Sequence, residues 1–417
     1  MEPGWGSPLP ARSPQLTEAP WDSRSRPMGS LKCGLNCRAV SKASTGVIRT
    51  LSITGAALLL AVAGLTGLLN SSGGLRTGSA TYVPPDGAIV TYFGARMAEA
   101  GRPLVIGAST DAGAMRPFIL AFQAQHPQTA VAYIDASGSA FLTRAAAACE
   151  GGSTVPDLYL SASTDQLVRL ANDGCAQPLP QAIAAAAPAG AAWRNEVVAF
   201  TVEPAAFVYE SRLLNLEAVA TNHVQVIDWL QYLQGEPGKI GTYDIEASSD
   251  GYGFTAADAR QPALYGRLLE SLGRAGVRTY CCSNVMVDAV DRGEILFAYN
   301  VQLSYAYAAQ RAGSRIQVVL PTDYQGIQTR SVMIPREARD PEDAIALVRF
   351  LTSAAGRAIA RVQLMAPAVA SQPAAAMADA LLDQASVSPQ SLSLQDQARR
   401  TRLIHEWRQG IRAAQPP

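Results

Sequence analysis

Lysine is almost missing from this chain: Lys32, Lys42 and Lys239 are all there is in 417 residues. Past residue 42 only Lys239 remains, so anion binding in the main body would have to rest on backbone N–H groups and other side chains. Histidine is as scarce, with His126, His223 and His405. His126 precedes a strand, His223 falls in an inter-element loop and His405 on the last helix, and the latter two read as surface residues. A histidine base for catalysis therefore has few candidates. The sequence also lacks a Gly-x-Ser-x-Gly elbow, a GxxxxGK[ST] phosphate loop and a His-Glu-x-x-His pair. Cys-x-x-Cys spacing is absent too. These absences argue against an enzyme, a bound cofactor and a cysteine metal site.

Charge is thin as well, at 16% of residues, while apolar residues reach 48%. That composition is globular, and the length allows two core-forming units plus appendages. Net charge is zero but uneven. Residues 1–80 hold 8 Lys/Arg against 3 Asp/Glu, leaving 26 basic and 31 acidic residues for 81–417. A mildly acidic main body argues against a nucleic-acid partner.

Residues 51–69 are uncharged and apolar, with Arg38, Lys42 and Arg49 before them. They read as an export signal or a single membrane-spanning anchor. A signal cleaved at Gly78-Ser79-Ala80 is favoured over the anchor, and Met28 offers an alternative start. The expected location is therefore periplasmic. Export would leave Cys149, Cys175, Cys281 and Cys282 in an oxidising compartment. Cys149 and Cys175 each end a helical stretch on one sheet edge and are expected to bridge. Adjacent Cys281 and Cys282 read as two buried free thiols, because a bond between them would be strained.

What the chain has in abundance is one repeated syntax. Residues 104–106 form a short apolar run that ends in Gly107, Ser109 and Thr110. A helix follows with Met115, Phe118, Ile119 and Phe122 on one face, stopped at His126-Pro127. Residues 131–134 make a second strand, then Ser137, Gly138 and Ser139 open another helix. The pattern returns before Ser161 and Ser163, before Thr242, Tyr243 and Asp244, before Ser283, and before Asn300, Ser304 and Tyr305. In open α/β sheets such loops lie at the carboxyl ends of strands, where ligands bind. Helix N-termini there suit an anion or a polyol. Glu203 would accept hydrogen bonds from ligand hydroxyls, and Arg330 is the one basic side chain near a strand end that could meet a ligand charge. Ser, Thr and Asp also serve as plain helix caps, so the repetition carries the argument.

The organisation expected is an extension with signal or anchor over 1–80 and a linker over 81–102. One unit spans 103–203 and returns over 316–380; a second spans 204–315; a C-terminal segment fills 381–417. Residues 197–210, read as broken at Glu203-Pro204, and residues 315–320 would cross between the units. Residues 370–392 read as loosely structured, and 395–412 as an amphipathic helix.

The order of parts resembles the periplasmic solute-binding proteins of bacterial ABC importers, in the ferric-iron and sugar-phosphate branch. Residues 104–110, Met115-Arg116-Pro117, 122–127, Pro156-Asp157-Leu158, 193–196, Glu203-Pro204-Ala205, 238–244, Arg292-Gly293-Glu294, Val319-Leu320-Pro321 and Ile334-Pro335 carry the likeness, which covers about 103–370. It implies a type II periplasmic-binding-protein fold: two doubly wound α/β sheets joined by two crossing strands, closing on a ligand by hinge bending. It also implies a monomer that serves an ABC permease. Ferric iron in this branch needs an adjacent tyrosine pair after residues 295–298. Here Tyr305 and Tyr307 stand two apart and would diverge on a helix. A small organic anion bearing hydroxyls, a sugar phosphate or hydroxy-carboxylate, is the expected ligand. Ferric iron, or a sensory role beside a membrane histidine kinase, is the alternative.

Overall fold

Thirteen consecutive residues, Val197–Tyr209, form a strand (β7) buried along its whole length. Its run of Val, Ala and Phe suits a strand covered on both faces. In the computed structural model this strand belongs to two sheets in succession. The described residues are 80–82, 88–94, 102–136, 138–151, 155–210, 219–232, 237–365, 372–387 and 389–412. The segment 51–69, Met28 and Ser137 lie outside them.

The first lobe begins with the edge strand β1 (Ala80–Tyr82) and β2 (Ile89–Phe93), which runs antiparallel between β1 and Val131–Asp135. They fall almost wholly in the stretch expected as a linker, 81–102; the alternation in Ile89-Val-Thr-Tyr-Phe suits a strand packed on one face, and Phe93 is buried. Strands β3 (Leu104–Ala108), β4 (Val131–Asp135) and β5 (Leu158–Ser161) run parallel, each followed by a helix: α1 (Ala112–Gln125), α2 (Gly138–Cys149) and α3 (Thr164–Asn172). After α4 (Gln181–Ala186) and the short β6 (Ala192–Trp193), the chain enters β7.

The second lobe holds α5 (His223–Tyr232), β8 (Ile240–Tyr243), α6 (Ser249–Asp258), α7 (Pro262–Arg274), β9 (Arg278–Tyr280), α8 (Ser283–Asp291), β10 (Phe297–Gln302) and α9 (Leu303–Arg311). Here β8 is flanked in parallel by β9 and β10. The return runs through β11 (Gln317–Val319) and β12 (Ile327–Met333), and helices α10 (Pro341–Thr352) and α11 (Ala354–Gln363) pack back on the first lobe.

The two crossings explain the linkage. The first half of β7 pairs with β12, from Val197 with Met333 to Pro204 with Ile327. Its second half pairs with β10 and β11, from Ala205 with Gln302 to Tyr209 with Phe297 and Gln317. Pro204 does not break the strand, against expectation. It sits where β7 changes partners, so its missing N–H costs nothing, and the Ala205 N–H resumes the ladder at Gly326 O, 2.7 Å away.

Residues 372–387 and 389–392 are more ordered than expected for 370–392. They form α12 (Gln372–Leu382) and α13 (Pro389–Leu392), because alanine-rich sequence favours helix and Ala378, Leu381 and Leu382 bury in the first-lobe core. The last helix α14 (Gln397–Trp407) packs instead into the second-lobe core through Leu403 and Trp407. Among the described residues no helix is long and apolar enough to cross a membrane.

Histidine 223 is not a surface residue. It opens α5 at 1% exposure, with Nδ1 2.8 Å from Asp323 and its ring stacked on Tyr324 at 3.8 Å. Its partners come from the loop between β11 and β12, which the local sequence of His223 does not reveal. Cys149 and Cys175 form a disulfide, with Cα atoms 5.4 Å apart. Cys281 and Cys282 are also joined rather than free and buried: Cys282 has extended backbone between β9 and α8, and Cys281 is exposed.

Candidate functional site

Strand-to-helix junctions after β3, β4 and β5 in one lobe and β8, β9 and β10 in the other supply the site. On the first-lobe side, Asp111 caps α1 by accepting the Ala114 N–H at 3.0 Å. The buried Tyr133 donates its hydroxyl to Thr110 O at 2.7 Å. The Ser109 and Ser161 hydroxyls share a 2.8 Å bond, and Ser161 Oγ also accepts the Ser163 N–H.

On the second-lobe side, Ser248 caps α6 through the Gly251 N–H. The Tyr243 and Ser283 hydroxyls lie 2.5 Å apart, and Ser283 Oγ accepts the Gln302 N–H at 2.9 Å. Between the lobes, Glu203 and Arg330 form an ion pair at 2.6 Å, both wholly buried. Ser304 donates its hydroxyl to Glu203 at 2.8 Å and accepts from Arg330 at 3.3 Å. The Tyr305 ring lies 5.8 Å from the Arg330 guanidinium.

The lobes touch. Ser163 donates to Asp250 across the gap at 3.2 Å, and Gln302 donates to the other oxygen of Asp250 at 3.2 Å. Burial, with the Asp111 charge nearby, raises the Tyr305 phenol. A Cβ on Gly138 would meet Ser249 Oγ at 1.8 Å, so only glycine permits this approach of α2 to α6. Beside the contact, Ser163, Thr164, Ser249, Gln328, Thr329 and Gln384 help line a cavity of about 260 Å³.

Burial and like charge raise the acids here. Burial pushes Asp135 up to about 7, with Asp111 adding to it. Burial holds Asp250 at about 6, with Arg330 pulling it back. Burial also raises Glu203, against the pull of Arg330.

Of the residues singled out from sequence, Ser109, Thr110, Gly138, Ser161, Ser163, Glu203, Tyr243, Ser283, Ser304, Tyr305 and Arg330 come together here. Others do not. Ser139 is exposed, and its carbonyl accepts from Thr143. Thr242 is buried within β8 opposite Thr279. The Asp244 carboxylate accepts the Glu246 N–H at 3.0 Å and shapes the turn before α6. Asn300 sits at the β10 bulge with φ 62° and donates to Asp258, which also receives Tyr299 and Tyr324. Tyr305 and Tyr307 diverge as expected: Tyr307 joins the first-lobe core. Sequence reasoning missed Asp111, Tyr133, Asp135, Asp250 and Gln302. Asp111 follows Thr110 at a helix start and was visible as a cap; Asp250 could be read only as an acidic first turn of α6.

Comparison with known proteins follows the fold. The model for bacterial extracellular solute-binding proteins matches residues 103–363. Among curated proteins, none matches the chain by sequence. A substrate-binding protein of an ABC transporter from Agrobacterium tumefaciens is 31% identical with a TM-score of 0.70, covering 80% of this chain and 99% of that one. The periplasmic binding protein AfuA from Actinobacillus pleuropneumoniae, solved with fructose-6-phosphate, is 18% identical (TM-score 0.59; 74% and 98% covered). Iron-bound HitA from Pseudomonas aeruginosa is 16% identical (0.57; 73% and 99%). The last two share the fold alone. The chain therefore belongs to the bacterial extracellular solute-binding proteins: two-lobed, type II periplasmic binding proteins that are not enzymes and that work with the inner-membrane permeases of ABC importers.

Proposed function

We propose that this chain captures a small, hydrogen-bonding solute in the cleft between lobe one (103–203 and 316–380) and lobe two (204–315), closing over it by hinge bending at the paired crossings. The observation that carries this is the polar seam itself: Ser163 to the Asp250 carboxylate, Gln328 to the Asp250 carbonyl and Gly138 against Ser249. A seam made of a hydroxyl, an amide and a carboxylate suits reversible closure around a polar guest.

The sequence pointed to an organic anion held by free helix N-termini. The geometry gives that reading less support. Asp111 already takes an N–H of α1, and Glu203 takes the N–H and hydroxyl of Ser304 at the start of α9. Arg330 is spent on Glu203 and has no exposed surface. Ferric iron fares no better, since the paired tyrosines that it uses in this branch are not offered here: Tyr307 packs into the first-lobe core, away from Tyr305.

The test is Gly138→Val, whose side chain would wedge against Ser249 and prop the cleft open. Small-angle scattering should show an expanded particle of unchanged helical content, and affinity for the transported solute should fall about tenfold or more. Binding that survives this substitution would place the solute elsewhere.

A further inference from the structure

We infer that the solute is a cation, bearing an ammonium or guanidinium group; this rests on the cleft reading above. The charged groups that a guest could reach are acids. Asp111 ends the β3 loop, Asp135 ends β4 and Asp250 lies in the first turn of α6, all three partly exposed. None has an ion-pair partner among the described residues. The one nearby guanidinium, Arg330, is matched by Glu203, and both are at 0% exposure. Seam and crossing together thus hold four carboxylates and one guanidinium. The adjoining cavity adds no net charge, since Arg260 there is offset by Asp165.

A second observation is independent of that count. The Thr110 hydroxyl oxygen is buried next to Asp111 and has no hydrogen-bond partner. A buried hydroxyl without a partner is costly, and an N–H-rich guest beside Asp111 would supply a donor. The partly exposed Tyr305 ring, 5.8 Å from the Arg330 guanidinium, lies at the same place. Tyrosine faces favour cations. An anion would face three acidic side chains without ion-pair partners, and a neutral sugar would supply no opposite charge.

The experiment is calorimetric titration of the mature chain at low salt. Putrescine, agmatine and glucosamine are the cationic probes, glucose the neutral one, and glucose 6-phosphate and citrate the anionic ones. At least one cation should bind saturably and more tightly than every neutral or anionic probe. Asp135→Asn should weaken it about tenfold or more, while Asp135→Glu, which keeps the charge, should retain it. The asparagine variant removes repulsion without changing shape, so it should fold, and circular dichroism checks that it does. An anion or glucose binding more tightly than all three cations overturns the charge assignment; if Gly138→Val then abolishes that binding, the cleft reading stands. A cation that binds equally well to Asp135→Asn also overturns the assignment. Silence from all three cations does the same.

Discussion

Glu203 on β7 and Arg330 on β12 meet at 2.6 Å with neither side chain exposed, where the outgoing and returning crossings lie side by side. Removing one partner of such a pair leaves the other charge buried and alone. Arg330→Met is therefore expected to cost about 3–5 kcal/mol of unfolding free energy, and Glu203→Gln a similar amount. The double variant should regain most of the loss. Urea unfolding measures all three proteins, and strictly additive losses would refute the coupling.

Stability should respond to pH in a defined direction. Burial raises Asp135 and Asp258 to about 7 and Asp165 and Asp250 to about 6. In the unfolded chain such groups titrate near 4, roughly. Between those limits the folded chain binds more protons, so stability falls as pH rises through this window. His223 acts in the opposite sense, because burial lowers its pKa and folding loses stability as pH drops below about 6.5. Four carboxylates outweigh one imidazole. The melting temperature is expected to be higher near pH 5.5 than near pH 8, roughly, and a calorimetric scan at each pH decides it.

The bond between Cys149 and Cys175 ties the end of α2 to the turn after α3, across 26 positions. Replacing both by serine should lower unfolding free energy by about 2–4 kcal/mol. Peptide mapping without reduction checks the bond itself. Alkylation of both thiols in the unreduced protein would remove the prediction.

The plan of the fold was readable because it is local. Each strand ended in small hydroxyl residues and opened a helix, so β3, β4, β5, β8 and their helices followed from period and capping alone. Serines 161, 163, 283 and 304 reached the site for the same reason. What stayed hidden depends on residues far apart in the chain. Arg330 looked free because nothing near it in sequence announces Glu203. His223 looked exposed because Asp323 and Tyr324 come from a distant loop. Asn300 looked like a ligand residue, yet its left-handed backbone and its bond to Asp258 serve the β10 bulge. Asparagine tolerates that conformation better than most residues, which was the one local hint.

The C-terminal segment alters the mechanics of the cleft. With α12 embedded in one core and α14 in the other, the lobes share a third covalent link besides β7 and the β11–β12 return. Two adjacent links permit both swing and torsion about their common line. A third, running over α3 and held by Gln395 on Asp165, suppresses the torsion. On the hinge reading, opening would have to move residues 389–395 relative to α3. If the cleft opens as proposed, this tether resists the opening, and its release becomes part of the work of giving up a solute.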